Sequence, residues 1–369
     1  MNLELIPQPD PTPLPGPAWL FHLLLVVTFV FHLIFMNVAL GGSLLAAVAH
    51  LTRRGSDGVR DEFARRLTRA NTYAISLAIT TGVAPLLFVQ VLFQQYFYPA
   101  TILIARGWLS LVLLLLVGYY ATYLYKYRGL PARGEGGGVF AVVAAASFLG
   151  IAMLQVTVNL VHSQPDEWPR IADRPWSVVT SPVFVVRVLH FVLAAVAFTA
   201  LLAAWWAARA AERGEAPPLN AAIARYGMRW ALWSTAAQVA DGFLLLVLLP
   251  PGTLTRLMRS GAAAMVPLAA SVMLAFGTIA MLARVTEPVG QRGLLGGALG
   301  AMTLTVAVMA VTRHQVRLAY LQPATSRFTL AEAPQWGNFF LFAVLLAGGL
   351  GLLGWMLRAV AMERRNAAG

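Results

Sequence analysis

Nine long apolar runs constrain this chain more than any other feature of its sequence. They lie near residues 18–51, 68–96, 102–125, 138–163, 182–208, 222–250, 261–285, 294–315 and 335–360. A helix needs about 20 apolar residues to cross the hydrocarbon core of a bilayer, and each run supplies them. Because 59% of the 369 residues are hydrophobic and 11% are charged, a water-soluble domain could not bury this apolar surface. We predict an all-α, polytopic membrane bundle of about nine transmembrane helices, forming a single integral membrane domain over residues 1–369.

The distribution of basic residues predicts how the bundle is oriented. With nine spans the two termini lie on opposite sides, and 18 of the 27 Lys and Arg residues fall on the side of the C-terminus. Since basic residues concentrate in cytoplasmic loops, we predict an extracytoplasmic N-terminus, a cytoplasmic C-terminus and a place in the bacterial cytoplasmic (inner) membrane. The net charge of +12 belongs to these loops, so membrane lipid is the expected partner and nucleic acid is not.

The chain contains no cysteine. This excludes disulfides, cysteine-ligated iron–sulfur clusters and the thioether attachment of c-type haem. Any redox cofactor must therefore be held without thiolates. The sequence also has no phosphate-binding loop, zinc-protease motif or nucleophile elbow in a plausible structural context. It therefore gives no support to hydrolytic chemistry.

Five of the six histidines lie toward the N-terminal side of the membrane in the predicted topology. They are His22, His32, His162, His190 and His314. An ionisable side chain inside a span indicates function, and neutral imidazole is a common axial ligand of b-type haem. The alternative is an interfacial ring satisfied by water or backbone carbonyls. We favour ligation for His32 and His190, which lie deep in apolar helices, and the interfacial interpretation for His50, beside a basic loop.

Several other polar residues need an explanation. Three arginines lie close in sequence to the histidines: Arg187, Arg313 and Arg317. They could neutralise haem propionates through charge-assisted hydrogen bonds, or extend to the membrane surface. Asp241 is the acid that lies well inside a span, where it could accept a proton, pair with a base or hydrogen-bond to a neighbour. Met273 is interpreted, on sequence alone, as a packing residue.

The order of several short motifs resembles subunit I of the cytochrome bd quinol oxidase family. Residues 31–35, Phe-His-Leu-Ile-Phe, lead into Leu-Gly-Gly at 40–42, as in the family's first helix. Residues 77–82, ending in Thr-Thr-Gly, are similar to its second helix. The resemblance implies that His32 is a haem ligand.

The resemblance continues through the middle of the chain. His-Ser-Gln-Pro at 162–165 and Ser-Pro at 181–182 precede His190, which takes the position of the ligand to the low-spin b haem. The methionine that completes this haem in helix 7 is similar to Met273. The motif order covers nearly the whole chain.

The chain also departs from the family. The long quinol-binding loop between helices 6 and 7 is reduced to residues 250–260. The glutamates of helix 3 have no counterpart in residues 107–119, and the Gly-Arg-Gln-Pro-Trp motif is present only as Thr-Arg-His-Gln-Val-Arg at 312–317. The lost parts serve proton-coupled oxygen reduction. The added histidines, His22, His162 and His314, could instead complete six-coordinate haems, so that with Met273 the ligands suffice for two to three b haems.

These observations predict a haem b-containing membrane subunit of a respiratory electron-transfer complex, as an oxidoreductase component. We expect it to pass electrons between the quinone pool and an extracytoplasmic partner such as a c-type cytochrome, with a second bd-like membrane subunit as another expected partner. The first alternative is a terminal quinol:oxygen oxidoreductase of the bd type. The second is a haem-free membrane anchor or proton-handling transporter.

Overall fold

The computed structural model describes residues 10, 12–53, 58–129, 137–325 and 331–366. Twelve α-helices occupy most of these residues: α1 Ala18–Thr52, α2 Gly58–Leu92, α3 Gln94–Leu103, α4 Ala105–Leu124, α5 Gly137–Ser163, α6 Trp168–Asp173, α7 Pro182–Glu212, α8 Pro217–Val247, α9 Pro251–Arg259, α10 Ala262–Arg284, α11 Arg292–Thr325 and α12 Trp336–Asn366. Within this part of the chain, nine helices are long and apolar enough to cross a membrane. The prediction of an all-α polytopic bundle is confirmed.

Some boundaries differ from those that the apolar runs predicted. Helix α2 begins about ten residues early, because its first turns carry charged residues that form ion pairs and continue the helix beyond the apolar part. The second run does not continue to residue 96, since the chain kinks at Phe93 and restarts as α3. The side chain of Gln94 anchors this restart, accepting a 2.9 Å hydrogen bond from the Thr12 hydroxyl and donating one to the Thr12 carbonyl.

The membrane helices pack mainly as antiparallel neighbours, α1 with α2, α4 with α5, α7 with α8 and α10 with α11, and α1 also packs on α7. The α1–α7 contact is close because Gly41 has no side chain: a Cβ there would overlap the carbonyl oxygen of Ala195. The Thr199 hydroxyl donates a 2.9 Å hydrogen bond to the Asn37 carbonyl across the same contact. This contact fixes the histidines of α1 relative to His190 of α7.

Ion pairs between helices concentrate at one end of the bundle, where α1 and α7 end and α2 and α8 begin. Examples are Arg53–Asp61 at 3.2 Å and Arg292–Glu212 at 2.9 Å. We call the opposite end, where α1, α7 and α10 begin and α2, α5, α8 and α11 end, the histidine-rich end. The positive-inside prediction assigns the ion-paired end to the cytoplasm.

The connection from α8 to α10, expected as a short loop, contains the helix α9. It packs on α11 through the fully buried Leu257, and Arg256 Nε donates a 2.7 Å hydrogen bond to the Ala319 carbonyl. The segment that the sequence predicted to be a short loop is therefore the helix α9, which covers part of the histidine-rich end.

Helix α12 lies at the periphery. The segment that leads into α12 is held by two backbone hydrogen bonds of 2.8 Å. The Leu14 N–H donates to the Ala331 carbonyl and the Ala333 N–H donates to the Leu14 carbonyl, beside an isolated β-bridge between Leu14 and Glu332. No residue in the most apolar stretch of α12, among those that the structure describes, is buried. Its apolar faces are available to lipid or to another protein.

Candidate functional site

A cavity of about 220 Å³ lies between α1, α5, α7, α8, α10 and α11 and reaches the histidine-rich end. Its walls are mostly apolar, and Leu33, Phe191 and Val306 are typical of them. Polar groups enter from α5, α7 and α11, near the ends of these helices. An apolar chamber with a few polar groups at one end is the usual form of a site for a large amphiphilic ligand.

His190 lines this cavity and is held by an acid. Its Nδ1 lies 3.1 Å from Oδ2 of Asp241, whose side chain is 4% exposed. Gly242 leaves room for the ring, since a Cβ there would lie 3.3 Å from the His190 Cε1. If Nδ1 donates to the carboxylate, Nε2 keeps the lone pair that a metal requires. Of the three roles open to Asp241 from the sequence, this contact fits a hydrogen bond to a neighbour, and it is an ion pair only with a protonated imidazole.

Three arginines line the same cavity: Arg187, Arg313 and Arg317. Arg187 donates a 2.9 Å hydrogen bond from Nη1 to Oδ1 of Asn159, and Nε of Arg317 is buried without a hydrogen-bond partner. In the part of the chain described here, none of the three forms a salt bridge with an acid, although Arg187 and Arg317 are 8% and 6% exposed. A buried cation without a counter-ion is costly, so this end of the cavity fits an anionic group.

His32 lies deeper in α1 and faces α2. Its Nδ1 donates a 3.0 Å hydrogen bond to the Ala78 carbonyl, which leaves the lone pair on Nε2. The ring packs above Gly82, where a Cβ would approach within 2.9 Å of the His32 Cε1. His32 does not line the cavity of His190. Other residues of α1 face that cavity, whereas His32 lies on the side of α1 that faces α2.

His162 shows the same arrangement near the end of α5. Its Nδ1 donates a 3.1 Å hydrogen bond to the Val158 carbonyl, and its buried Nε2 has no partner in the described part of the chain. The ring is 2% exposed. A carbonyl or carboxylate on Nδ1 with a free Nε2 is typical of metal-ligating imidazole, and His32, His162 and His190 all have it.

His22 and His314 form a different arrangement. Their ring centroids lie 4.9 Å apart, and Phe93 lies 6.1 Å and 6.3 Å from them. Both ring nitrogens of His314 and Nδ1 of His22 are buried and have no hydrogen-bond partner among the described residues. His50 lies at the ion-paired end, where its Nδ1 is 3.0 Å from the Tyr125 hydroxyl, away from the other histidines.

The structure does not bring Met273 into the cavity. The residue is 72% exposed on α10, whereas Ser271, Val272 and Ala275 of the same helix line the wall. Two methionines that the sequence reasoning missed, Met302 and Met309, do line it. The sequence did contain a signal for Met309. It stands four residues before Arg313 and therefore lies on the same face of α11.

Comparisons with known proteins agree with this architecture. The chain is similar to a solved structure described as "The structure of bd oxidase from Geobacillus thermodenitrificans", with a TM-score of 0.76 and 15% identity, over 96% of this chain and 100% of that one. No protein-family model matches the chain, and no curated protein matches its sequence. The resemblance inferred from short motifs is confirmed at the level of the fold.

Proposed function

We propose that this chain, which has the fold of a bd oxidase, is a haem b-binding membrane subunit of a respiratory electron-transfer complex. It passes electrons between the quinone pool and a redox partner on the extracytoplasmic side, such as a c-type cytochrome. One observation carries the proposal. An apolar cavity contains an imidazole in contact with an acid, and the buried arginines at its end have no acid partner among the residues that the structure describes.

The residues present fit a haem, because they match both its apolar macrocycle and its charged propionates. The apolar walls suit the macrocycle, and Arg187, Arg313 and Arg317 suit its two propionates through charge-assisted hydrogen bonds. When bound, a six-coordinate haem b supplies reversible one-electron exchange at iron.

The chain's own residues hold and tune this site. Asp241 fixes the tautomer and orientation of His190 and makes its Nε2 a stronger donor. The apolar side chains around the ring exclude water, which strengthens every electrostatic contact inside. The three arginines would bind the carboxylates of such a group at the histidine-rich end.

We further propose two to three haems. His190 would hold the first, with Met302 or Met309, which line the cavity, as the candidate thioether partner, since Met273 lies outside it. His32 would hold a second on the other side of α1, and His162 would be the candidate for a third. The apolar faces of α12 suit a second bd-like membrane subunit.

A terminal quinol:oxygen oxidoreductase is the second candidate, because the chain shares the fold of a bd oxidase. The membrane helix α4 carries no acid, so the glutamates of that family's third helix have no equivalent in it. An oxidase needs an open position on one haem, and carbon monoxide binding to the reduced protein would detect it. Electron transfer through six-coordinate haems predicts no carbon monoxide shift.

Haem content tests the proposal directly. We expect pyridine haemochrome analysis of the purified chain to give two to three b haems, and His190→Ala and His32→Ala to lose about one each. The control is His50→Ala, which removes a histidine bonded to Tyr125 at the opposite end and should keep the full content. A purified, folded protein without a b-type spectrum would refute the proposal.

A further inference from the structure

The charges at the histidine-rich end do not balance when one haem is held by His190. Arg187, Arg313 and Arg317 line the cavity and supply three positive charges, whereas one haem has two propionates. A buried cation without a counter-ion is costly. One further negative charge is therefore expected close to these arginines, and this step rests on the proposed haem function.

A second, much smaller cavity lies beside the two arginines of α11. Its volume is about 10 Å³, which corresponds to about one water-sized species. Arg313 and Arg317 belong to the walls of both cavities, whereas Val26 and His314 line only the small one. The small cavity can thus hold one small species beside both guanidinium groups, apart from the space proposed for the haem.

The polar groups of this small cavity are donors and cations. Nε of Arg317 and both ring nitrogens of His314 are buried and have no hydrogen-bond partner among the described residues, and the two residues are 6% and 7% exposed. The Arg313 guanidinium lies 4.6 Å from the centroid of Phe29, another residue of the wall. Within the described part of the chain, no acid lines this cavity. Its lining therefore fits an anion.

The spacing of the two arginines adds to this requirement. Arg313 and Arg317 stand four residues apart and so lie on one face of α11, where like charges destabilise each other. An anion between them would offset this repulsion. Because each guanidinium has five N–H donors in a planar fork, both arginines could bind the anion and still donate to a propionate.

We propose that the small cavity binds one monatomic anion, chloride, beside Arg313, Arg317 and His314. This site goes beyond the proposed haem function, because its ligand is an inorganic ion and His190 does not line it. A water molecule would satisfy the free donors but leave the positive charge without a counter-ion. Sulfate and phosphate have four oxygens each and exceed a volume of about one water molecule.

Chloride binding to the full-length protein tests the site. The protein is purified in gluconate buffer and titrated with radioactive chloride by equilibrium dialysis. We expect one saturable chloride per chain, which bromide displaces and sulfate does not. Arg317→Gln should bind it at least tenfold more weakly, because a charge-assisted hydrogen bond and a cation are lost.

A pair of valine variants separates the small cavity from the large one. Val26→Leu adds one methylene group at the small cavity and changes no charge, so it should also weaken chloride binding at least tenfold while keeping its haem. Val306→Leu is the matched control, because Val306 lines only the cavity of His190, and it should bind chloride as the wild type does. An unchanged elution volume in gel filtration shows that each variant is folded.

Haem is counted on the same samples, which separates this proposal from the haem function. Chloride that depends on Arg317 and Val26 in a protein without haem would refute the haem function and support the anion site. A full haem content without saturable chloride binding would refute the anion site alone. Chloride binding that survives both Arg317→Gln and Val26→Leu, or that sulfate displaces, would also overturn it.

Discussion

The contact between Asp241 and His190 allows a graded test of how the protein holds its proposed haem. The carboxylate lies 3.1 Å from Nδ1 and is almost fully buried, so it acts on the ligand through one short contact that solvent does not screen. Asp241→Asn keeps an oxygen acceptor at similar length but removes the charge. Asp241→Ala removes the acceptor and leaves the imidazole N–H unpaired.

The expected magnitudes follow from these differences. A charge-assisted hydrogen bond contributes about 1.5–3 kcal/mol and a neutral one about half as much. Asp241→Asn should therefore weaken haem retention by about 1 kcal/mol, or about fivefold. Loss of the partner in Asp241→Ala should weaken it about 10–100-fold, as for other groups that orient metal ligands.

Haem retention is measured by transfer to an excess of apomyoglobin, and the midpoint potential by redox titration. The midpoint potential should rise in both variants. The carboxylate charge favours the oxidised, more positive iron, and both variants remove it. Gln238→Leu is the matched control, since Gln238 lines the same cavity on α8. Equal haem loss from all three variants, or none from Asp241→Ala, would show that the carboxylate does not support a ligand.

Two further predictions concern packing and the second ligand. Gly41→Ala should lower the free energy of unfolding by about 1–3 kcal/mol, because the added Cβ would overlap α7. Gly300→Ala is the control and should be neutral or stabilising, since nothing lies within 4 Å of a Cβ there. Thermal unfolding measures both variants. Met309→Leu should alter the spectrum of the His190 haem and the exposed Met273→Leu should not, and the reverse result would return Met273 to its predicted role.

The apolar runs predicted the membrane helices well because hydrophobic length alone defines a span. The same signal missed α3 and α9, which are ten and nine residues long and owe their places to contacts such as Gln94 with Thr12 and Leu257 with α11. Short helices of this kind depend on packing, which apolar runs do not encode.

For the candidate site, the sequence predicted depth better than direction. Counting spans put His190 and Arg313, which belong to different helices, at the same end, and both line one cavity. The direction of a side chain around the helix axis is harder to predict, because a helix that is apolar all round gives no polar stripe to mark its outer face. Met273 illustrates this: it lies at the right depth but on the outward side of α10. The pairing of His190 with Asp241 joins two spans and also needed the packed structure.

The peripheral position of α12 keeps it apart from the cavity that contains His190. None of its described residues lines either cavity, and the chain reaches it through backbone contacts of residues 331–335. A substitution on α12 changes what the bundle presents to its neighbours in the bilayer and leaves the chamber walls as they were. Contacts with neighbouring proteins and the proposed haem site would therefore come under selection in separate parts of the same polypeptide.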